Sequence, residues 1–354
     1  MNDVTTIDGA VGGGQLLRTS IALSALMGKE IRMKNIRANR SPPGLKPQHI
    51  TAVRAIAALV NAEVKGLDLG STDLLFRPRS KVAGLLSLDV GTAGSVSLIL
   101  QAALPVAMFA PGSVTLQVRG GTDVPWSPPI DYLRLVFMPT IAKMGLTCSL
   151  QLLRRGHYPK GGGEVLAKLA PVPKLKPIEI TDIGEVHSIK GVSHCVKLPQ
   201  HVAERQAKSC EGALRERGYG DVSIDLEYFP PESDPHLGPG SGIAVAASTT
   251  TGALIGADSM GERGLPAEKV GRRCSMRLLE ELGTGMSVDS HLADMLIPYM
   301  AIADGKSEIR ISKLTPHAIT NVSVTEQVVG VKFEISGDAG KPAQIAVNGI
   351  GLGK

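Results

Sequence analysis

The segment Thr315–Asn321 carries the side chain with the clearest potential for chemistry, His317. Pro316 cannot donate a backbone hydrogen bond and it favours an extended residue before it. These features predict that His317 lies on a turn after the strand Ser307–Ile311, with the polar pair Thr320-Asn321 orienting its ring. A neutral imidazole can attack a phosphorus or carbonyl centre at pH 7, because its pKa lies close to that pH. The plain alternative is a loop histidine that caps a turn.

Two cationic segments near the amino terminus have the composition of phosphate-binding loops. The glycine-rich run Asp8–Arg18 leads into a predicted helix, where backbone N–H groups can face an anion, and Arg18 lies one turn inside. The segment Arg37–His49 places three cations on a loop that prolines stiffen, and a guanidinium can bind a phosphate through two hydrogen bonds. The alternatives are a tight structural turn for the first segment and a solvated cluster of charges for the second.

The segment Arg154–Glu164 has three consecutive glycines after a basic Tyr-Pro-Lys turn, so a polyphosphate or an RNA backbone could approach it closely. Within it, His157 is interpreted as a surface turn residue. The other histidines lack the spacing of metal ligands, and the four cysteines contain no CxxC pair. We therefore expect neither a zinc site nor disulfides, and the reduced cysteines favour a cytoplasmic protein.

Composition excludes several classes of protein. The chain has 354 residues, of which 43% are hydrophobic, so it can bury a large core and its length suggests two domains. The 38 Lys and Arg residues exceed the 33 Asp and Glu residues, which is a mild preference for polyanionic partners. No secretory signal is recognisable, and the longest apolar run, Leu98–Ala110, is interrupted and too short to cross a membrane. We expect a soluble protein without membrane association; the sequence does not determine its oligomeric state.

Three stretches share one pattern, in which an apolar helix is followed by a glycine and then by a strand with alternating residues. They are Leu16–Met27, Gly28 and Glu30–Ile36; Val96–Phe109, Gly112 and Ser113–Val118; and His291–Ala303, Gly305 and Ser307–Ile311. A glycine at each helix end predicts a left-handed cap. A second helix is predicted after each stretch, at Gln48–Val60, at Ile130–Met144 and, shorter, near Asn321–Glu326.

The spacing of the three glycines predicts an insertion. Gly28 and Gly112 are 84 residues apart, whereas Gly112 and Gly305 are 193 apart, and the excess of 109 residues matches a small domain. We predict a large domain at 1–183 and 286–354 and an inserted α/β domain at 184–285. The elements predicted inside the insertion are the strands Ile189–Val196, Val222–Tyr228 and Ile243–Ser248 and the helices Val202–Arg217 and Pro266–Glu281.

Taken together, these segments resemble the RNA 3′-terminal phosphate cyclase family over essentially the full length of the chain. The segments that carry the resemblance are Asp8–Arg18, Ile36–Arg40, Pro43–Ala52, Ala93–Ser95, Gly120–Asp123, Arg155–Gly163, His201–Arg205, Leu292–Asp294 and His317–Asn321. The glycine triplet and the His-x-x-Thr-Asn motif make the resemblance specific.

The resemblance implies an α/β (α+β) fold of three repeated βαβαββ units in a large domain, with a smaller α/β domain inserted before the third. It implies a ligase-type enzyme that uses ATP and a divalent metal, Mg²⁺ or Mn²⁺, to convert an RNA 3′-phosphate end into a 2′,3′-cyclic phosphate through an adenylylated histidine, His317. By position in the family, the phosphates would contact Arg18, Arg37, Arg40 and Gln48, the nucleotide pocket would contain Gln101 and Pro128, and Asp294 would lie near His317.

Two departures from the family pattern concern the metal and the pocket. The glycine run is about two residues shorter than usual and lacks the glutamate near the metal, so no metal ligand is assigned. His291 stands where the family often has tyrosine, in the nucleotide-binding region. The alternatives are a non-catalytic relative that assists ribosome assembly, which the presence of His317 disfavours, and an enolpyruvyl transferase, whose two lobes of similar size do not match one small insertion.

Overall fold

The computed structural model describes residues 4–353, and its strands form four sheets of four strands each. The first unit consists of β1 (Thr5–Asp8), α1 (Gly14–Met27), β2 (Ile31–Lys34), α2 (Pro47–Leu59), β3 (Glu63–Lys65) and β4 (Leu74–Arg77). Its strand order is β1-β2-β4-β3, in which β1 and β2 are parallel and the other pairs are antiparallel. This is one βαβαββ unit.

The second unit repeats this topology. It contains β5 (Gly84–Asp89), α3 (Val96–Ala107), β6 (Val114–Gly120), a helical segment α4, β7 (Cys148–Arg154) and β8 (Gly163–Leu169). The segment α4 runs through Ile130–Tyr132, the π-helical turn Leu133–Phe137 and Met138–Lys143. The order β5-β6-β8-β7, again with one parallel pair at the first strand, matches that of the first sheet.

The third unit is interrupted after its first strand, β9 (Glu179–Ile180). The inserted segment forms β10 (Val186–Val196), α5 (His201–Arg215), β11 (Val222–Glu227), β12 (Gly240–Thr249), β13 (Leu254–Met260) and α6 (Ala267–Gly283). The unit then resumes with α7 (Ser290–Ile302), β14 (Lys306–Ile311), α8 (Pro316–Val329), β15 (Phe333–Gly337) and β16 (Ala343–Asn348). Its sheet order, β9-β14-β16-β15, follows the pattern of the first two sheets, so the insertion splits the third unit.

Apolar periodicity explains why these elements form. In β6, alternate residues (Val114, Leu116 and Val118) are buried, as expected for a strand with one face on the core. One continuous apolar cluster joins the three repeated units, and a second one lies between the inserted sheet and its helices α5 and α6. The predicted fold class is therefore confirmed, whereas the exact domain limits at 184 and 285 stay a prediction.

Some local predictions were wrong in detail. Of the three predicted caps, Gly28, Gly112 and Gly305, only Gly28 ends its helix in the left-handed conformation, with φ of 64°. Met108, in a right-handed conformation, ends α3, and Ala303, in an extended conformation, ends α7. The strand β13 was not predicted, because its short alternation of small residues gives a weak signal. Within residues 4–353, each helix is too short or too polar to span a bilayer.

Candidate functional site

A cleft of about 960 Å³ lies where the first, second and third units meet the inserted segment. All nine predicted site residues line it: Arg18 on α1, Arg37 and Arg40 after β2, Gln48 on α2, Gln101 on α3, Pro128 before α4, His291 and Asp294 on α7, and His317 on α8. Residues as far apart in sequence as Arg18 and His317 therefore face one space. The roles predicted for these residues in binding and catalysis stay predictions.

His317 lies in the first turn of a helix, not on a turn after a strand. Helix α8 begins at Pro316 with Thr315 as its N-cap, so it starts earlier and is longer than the predicted helix near Asn321–Glu326. Proline suits this first helical position, since its missing N–H would have no partner inside the helix. The residue is open to the cleft. The N-terminus of α8 therefore presents the imidazole to the space where a ligand would bind.

Neighbouring polar side chains fix the position of this helix. Asn321 Nδ2 donates a hydrogen bond to the backbone oxygen of Asp294 at 2.7 Å, and Asn321 Oδ1 accepts one from Thr19 at 2.8 Å. Asn321 thus ties α8 to both α7 and α1, as its predicted orienting role requires. Thr320 donates to the Pro316 oxygen of its own helix and makes no such tie.

The charge around His317 favours the neutral imidazole. Partial burial lowers its pKa from the usual 6.5, and the guanidinium groups of Arg18 and Arg40 lower it further. A ring that is unprotonated at neutral pH keeps a nitrogen lone pair available for attack. Cations that flank a nucleophile also stabilise the negative charge of a phosphate under attack.

Several cationic groups converge on the N-terminus of α1. Gly13 caps this helix without a side-chain hydrogen bond, so the first backbone N–H groups are open to an anion. A Cβ on Gly14 would lie 2.1 Å from His49 Nε2 and 3.1 Å from Arg18 Nη1, so only glycine allows both side chains to pack here. Arg40 Nη2 would lie 4.0 Å from a Cβ on Gly13. This arrangement fits a bound phosphate.

The arginines of this site lack acidic partners. Among residues 4–353, no carboxylate lies within ion-pair distance of Arg18, Arg37 or Arg40. Burial lowers the pKa of Arg18 to about 10. An unpaired, partly buried guanidinium is costly unless an anion pairs with it.

Arg37 differs from the other two arginines because its own loop holds it. Its Nη1 donates to the Gly44 oxygen at 2.7 Å and to the Pro42 oxygen at 3.3 Å. The residue also adopts a left-handed backbone with φ of 53°. Arg37 therefore braces the proline-rich loop, and its remaining guanidinium N–H groups are left for the cleft.

The cleft also contains polar groups with unused hydrogen-bonding capacity. Gln48 Oε1 accepts from the Ser95 N–H at 3.2 Å, which leaves the Gln48 amide nitrogen free to donate. Gln101 Nε2 and Tyr299 Oη are both buried, and neither has a hydrogen-bond partner among the described residues. Pro128 and the almost fully exposed Trp126 lie at the rim. These features suit a flat ligand with hydrogen-bonding edges.

The inserted segment supplies an acidic wall that the sequence analysis missed. Asp258 on β13 and Glu280 and Glu281 on α6 line the cleft. Arg277 lies there too and donates a hydrogen bond to the Asp258 backbone oxygen at 2.8 Å. Burial raises the pKa of Glu281, which accepts a hydrogen bond from the Ser290 hydroxyl at 2.7 Å. His291 packs edge-on against Tyr132, with ring centroids 5.9 Å apart. No local motif marks these residues, since only the fold of the insertion brings them to the cleft.

The interpretation of His157 as a surface residue is wrong, because it is only 7% exposed. Its neighbour Arg155 is buried as well and forms ion pairs with Asp123, Asp131 and Glu227. The glycine triplet after them is packed internally: a Cβ on Gly162 would lie 2.2 Å from the Leu237 side chain. The segment therefore joins the second unit to the insertion, and its glycines permit close packing.

Comparison with known proteins agrees with the geometry. The model of the family described as RNA 3′-terminal phosphate cyclase matches residues 10–335. A protein of Ignicoccus hospitalis named RNA 3′-terminal phosphate cyclase is 53% identical over 347 residues, which cover 97% of this chain and 98% of the relative. Proteins of the same name from Hyperthermus butylicus and Methanopyrus kandleri are 49% and 48% identical, over 97% and 96% of this chain and 98% and 97% of their own lengths.

Proposed function

The chain belongs to the RNA 3′-terminal phosphate cyclase family, and from this premise we propose that it uses ATP to convert an RNA 3′-terminal phosphate into a 2′,3′-cyclic phosphodiester. AMP and pyrophosphate are the other products, which makes the enzyme a ligase-type nucleotidyl transferase. The observation that carries this proposal is the presence of His317 in a large cleft together with the unpaired guanidinium groups of Arg18 and Arg40, which lower its pKa.

In the first step, a nitrogen of His317 attacks the α-phosphorus of ATP and the bond to pyrophosphate breaks. The product is a histidine–AMP phosphoramidate. Arg18, Arg40 and the open N–H groups at the start of α1 would bind the phosphates and stabilise the charge that develops on them. Gln101 and Pro128 would contact the nucleoside, together with His291.

In the second step, an oxygen of the RNA 3′-phosphate attacks the adenylyl phosphorus, and the His317 imidazole leaves. Protonation of the imidazole nitrogen makes this departure favourable. In the third step, the neighbouring 2′-OH loses its proton and attacks the RNA phosphorus. The new P–O bond closes the ring, the bond from that phosphorus to the bridging oxygen of the adenylyl group breaks, and AMP leaves. The excess of basic residues over the whole chain, with a formal net charge of +5, favours binding of an RNA end.

A divalent ion, Mg²⁺ or Mn²⁺, fits this cleft through Asp294. Its carboxylate accepts one hydrogen bond from Thr315, and no guanidinium or ammonium group of the described residues pairs with it. Mg²⁺ commonly uses one or two carboxylates together with substrate phosphates. When bound, the ion would neutralise charge on the phosphates of ATP. We also propose a cytoplasmic location, which the four free cysteines support.

The test is incubation with ATP labelled at the α-phosphate. We expect covalent label on the wild type and none on His317→Ala, while His187→Ala, which removes an exposed imidazole that does not line the cleft, keeps the label. The label should disappear in mild acid and survive base, as a phosphoramidate does. An RNA with a 3′-phosphate should then become resistant to phosphatase. A wild type that takes up no label would instead favour the non-catalytic, ribosome-assembly type of relative.

A further inference from the structure

A second cluster of ligand-type side chains lies outside the cleft. Asp123, His157 and His194 each offer one atom, and these atoms lie within 4.8 Å of one another. The two Nε2 atoms of the histidines are 3.3 Å apart, and His194 Nε2 lies 3.8 Å from Asp123 Oδ1. All three residues are buried. The cluster joins the strand β10 of the insertion to two loops of the second unit.

These distances match the edges of a tetrahedral metal site. Zinc binds imidazole nitrogen at about 2.0–2.1 Å, so two nitrogen ligands of a tetrahedral ion lie about 3.3–3.4 Å apart. The histidine pair has this separation, and the carboxylate lies slightly farther away. Two imidazoles and one carboxylate are a common ligand set for zinc with one position left for water.

The charge around the cluster also favours a cation. Three carboxylates, those of Asp123, Asp131 and Glu227, pair with Arg155, and Asp131 pairs in addition with Arg134. Three negative groups thus share two guanidiniums, and both aspartates are buried. Because buried charge is costly when it is not balanced, one additional cation at Asp123 would stabilise the arrangement.

One buried nitrogen of His194 lacks a hydrogen bond where a metal site would need one. His194 Nδ1 has no hydrogen-bond partner within the described chain, and it lies 4.0 Å from Asp131 Oδ2, which forms an ion pair with Arg155. Histidines that bind a metal usually donate their other ring N–H to a carboxylate, which orients the ring. A small shift would complete such a pair once Nε2 of His194 is bound to the ion.

The surrounding backbone makes room for the rings. A Cβ on Gly240 would lie 2.0 Å from His157 Cγ, and a Cβ on Gly242 would lie 2.9 Å from His194 Cε1. Both glycines belong to β12, next to β10 in the inserted sheet. The insertion therefore provides one ligand and the space in which both imidazoles face Asp123.

We propose that Asp123, His157 and His194 bind one Zn²⁺ that fastens the inserted segment to the second unit. The ion is separate from the metal that would accompany ATP, and its binding does not depend on His317. The proposed role is to position the loop of Asp123, which continues to Trp126 and Pro128 at the rim of the cleft. Loss of the ion should loosen that rim.

The test measures metal content and does not require activity. Protein stripped with a chelator is incubated with Zn²⁺, passed over a desalting column and analysed by mass spectrometry for metals. We expect one Zn²⁺ per chain in the wild type and strongly reduced zinc in His157→Gln and His194→Gln. The control is His187→Gln, an exposed histidine on the same strand β10, which should keep the zinc.

A second measurement covers the case in which the variants fail to fold. Stripped wild type titrated with Co²⁺ should show the visible absorption bands of a tetrahedral ion, and added Zn²⁺ should abolish them. Zn²⁺ should also raise the melting temperature of the wild type. The proposal is overturned if the wild type retains no zinc, if folded His157→Gln retains as much as the wild type, or if Co²⁺ shows only octahedral absorption.

Discussion

The hydroxyl of Thr315 donates a hydrogen bond to Asp294 Oδ1 at 2.8 Å, and Thr315 Oγ1 accepts one from the Ala318 N–H at 2.9 Å. One side chain thus caps the helix that carries His317 and ties its first turn to α7. Burial raises the pKa of Asp294 to about 6, and the bond from Thr315 opposes this shift. The position of the proposed nucleophile therefore depends on a residue that need not touch the substrate.

Thr315→Val should lower both the stability of the fold and the rate of adenylylation. Thr315→Ser keeps the hydroxyl, so it should leave both close to the wild-type values. Loss of an N-cap costs about 1 kcal/mol, and a carboxylate left without its donor costs about 1–3 kcal/mol more. Thermal unfolding and the rate of labelling by α-labelled ATP measure the two effects. Equal labelling rates in the valine and serine variants would show that the cap does not position His317.

Arg18→Ala and Arg40→Ala should each weaken the use of ATP. Neither guanidinium has an acidic partner in the described residues, and a charge-assisted bond to phosphate is worth about 1.5–3 kcal/mol, or roughly ten- to a hundredfold. Kinetics of adenylylation at varied ATP measure the loss. The matched control is Arg54→Ala, an exposed arginine on α2 that does not line the cleft. If the kinetics of adenylylation are the same in all three variants, Arg18 and Arg40 belong only to a solvated cluster of charges.

Arg37→Ala should act differently, because Arg37 holds the carbonyls of its own loop. We expect an increased KM for ATP together with increased protease sensitivity of that loop. Arg37→Lys keeps the charge but loses the planar fork, so it should recover only part of the affinity. Unchanged KM and unchanged proteolysis in the alanine variant would contradict a role in either phosphate binding or bracing.

The rate of adenylylation should fall as the pH is lowered, and the midpoint of this fall, the acidic limb of the pH profile, should lie below pH 6.5. The pKa of His317 is lowered first by burial and then by Arg18 and Arg40, so the ring stays unprotonated as the pH falls through 6.5. Single-turnover labelling between about pH 5 and pH 8 measures the limb. Arg40→Ala removes one of the repelling charges and should move the limb upward. A limb above pH 6.5 in the wild type would be inconsistent with a neutral, cation-flanked nucleophile.

His49 should make folding stability depend on pH. Burial lowers its pKa to about 3 from 6.5, and Arg18, Arg37 and Lys46 add to the shift. Between these two values the unfolded chain binds more protons, so the contribution of His49 is complete above pH 6.5 and is lost as the pH falls toward 3. His49→Gln should flatten denaturant-measured stability over this window, while exposed His187→Gln should not. If stability changes with pH by the same slope in the two variants, His49 is not a buried neutral residue.

Periodicity and composition were sufficient to predict the three repeated units, because the helix and strand that carry the pattern have buried apolar residues, as in α3 and β6. They were not sufficient to predict the burial of His157. Its environment comes from His194, which is 37 residues away on an inserted strand, and no local pattern encodes that contact. The acidic wall at Asp258 was missed for the same reason. Long-range packing of the insertion, and not local propensity, decides both features.

The glycine run before α1 should make the metal requirement of the chain weak. Val11 lies at its tip and is 79% exposed, so an insertion here should not disturb the core. The run lacks the glutamate of the family pattern, and Asp294 with the ATP phosphates would have to bind the divalent ion. We therefore expect activity that saturates only at high metal concentration. Inserting Gly-Glu between Val11 and Gly12 should lower the concentration needed without changing the product.

The control is insertion of Gly-Gln at the same place, which adds the same length without the carboxylate. Adenylylation at increasing Mg²⁺ measures the effect in all three proteins, and a single oxygen ligand added to a Mg²⁺ site should shift only the metal titration. If Gly-Gln acts as well as Gly-Glu, the length of the loop and not the charge is responsible. If the unmodified chain already saturates at micromolar metal, another group has replaced the glutamate, and the proposed dependence on Asp294 and phosphates alone is wrong.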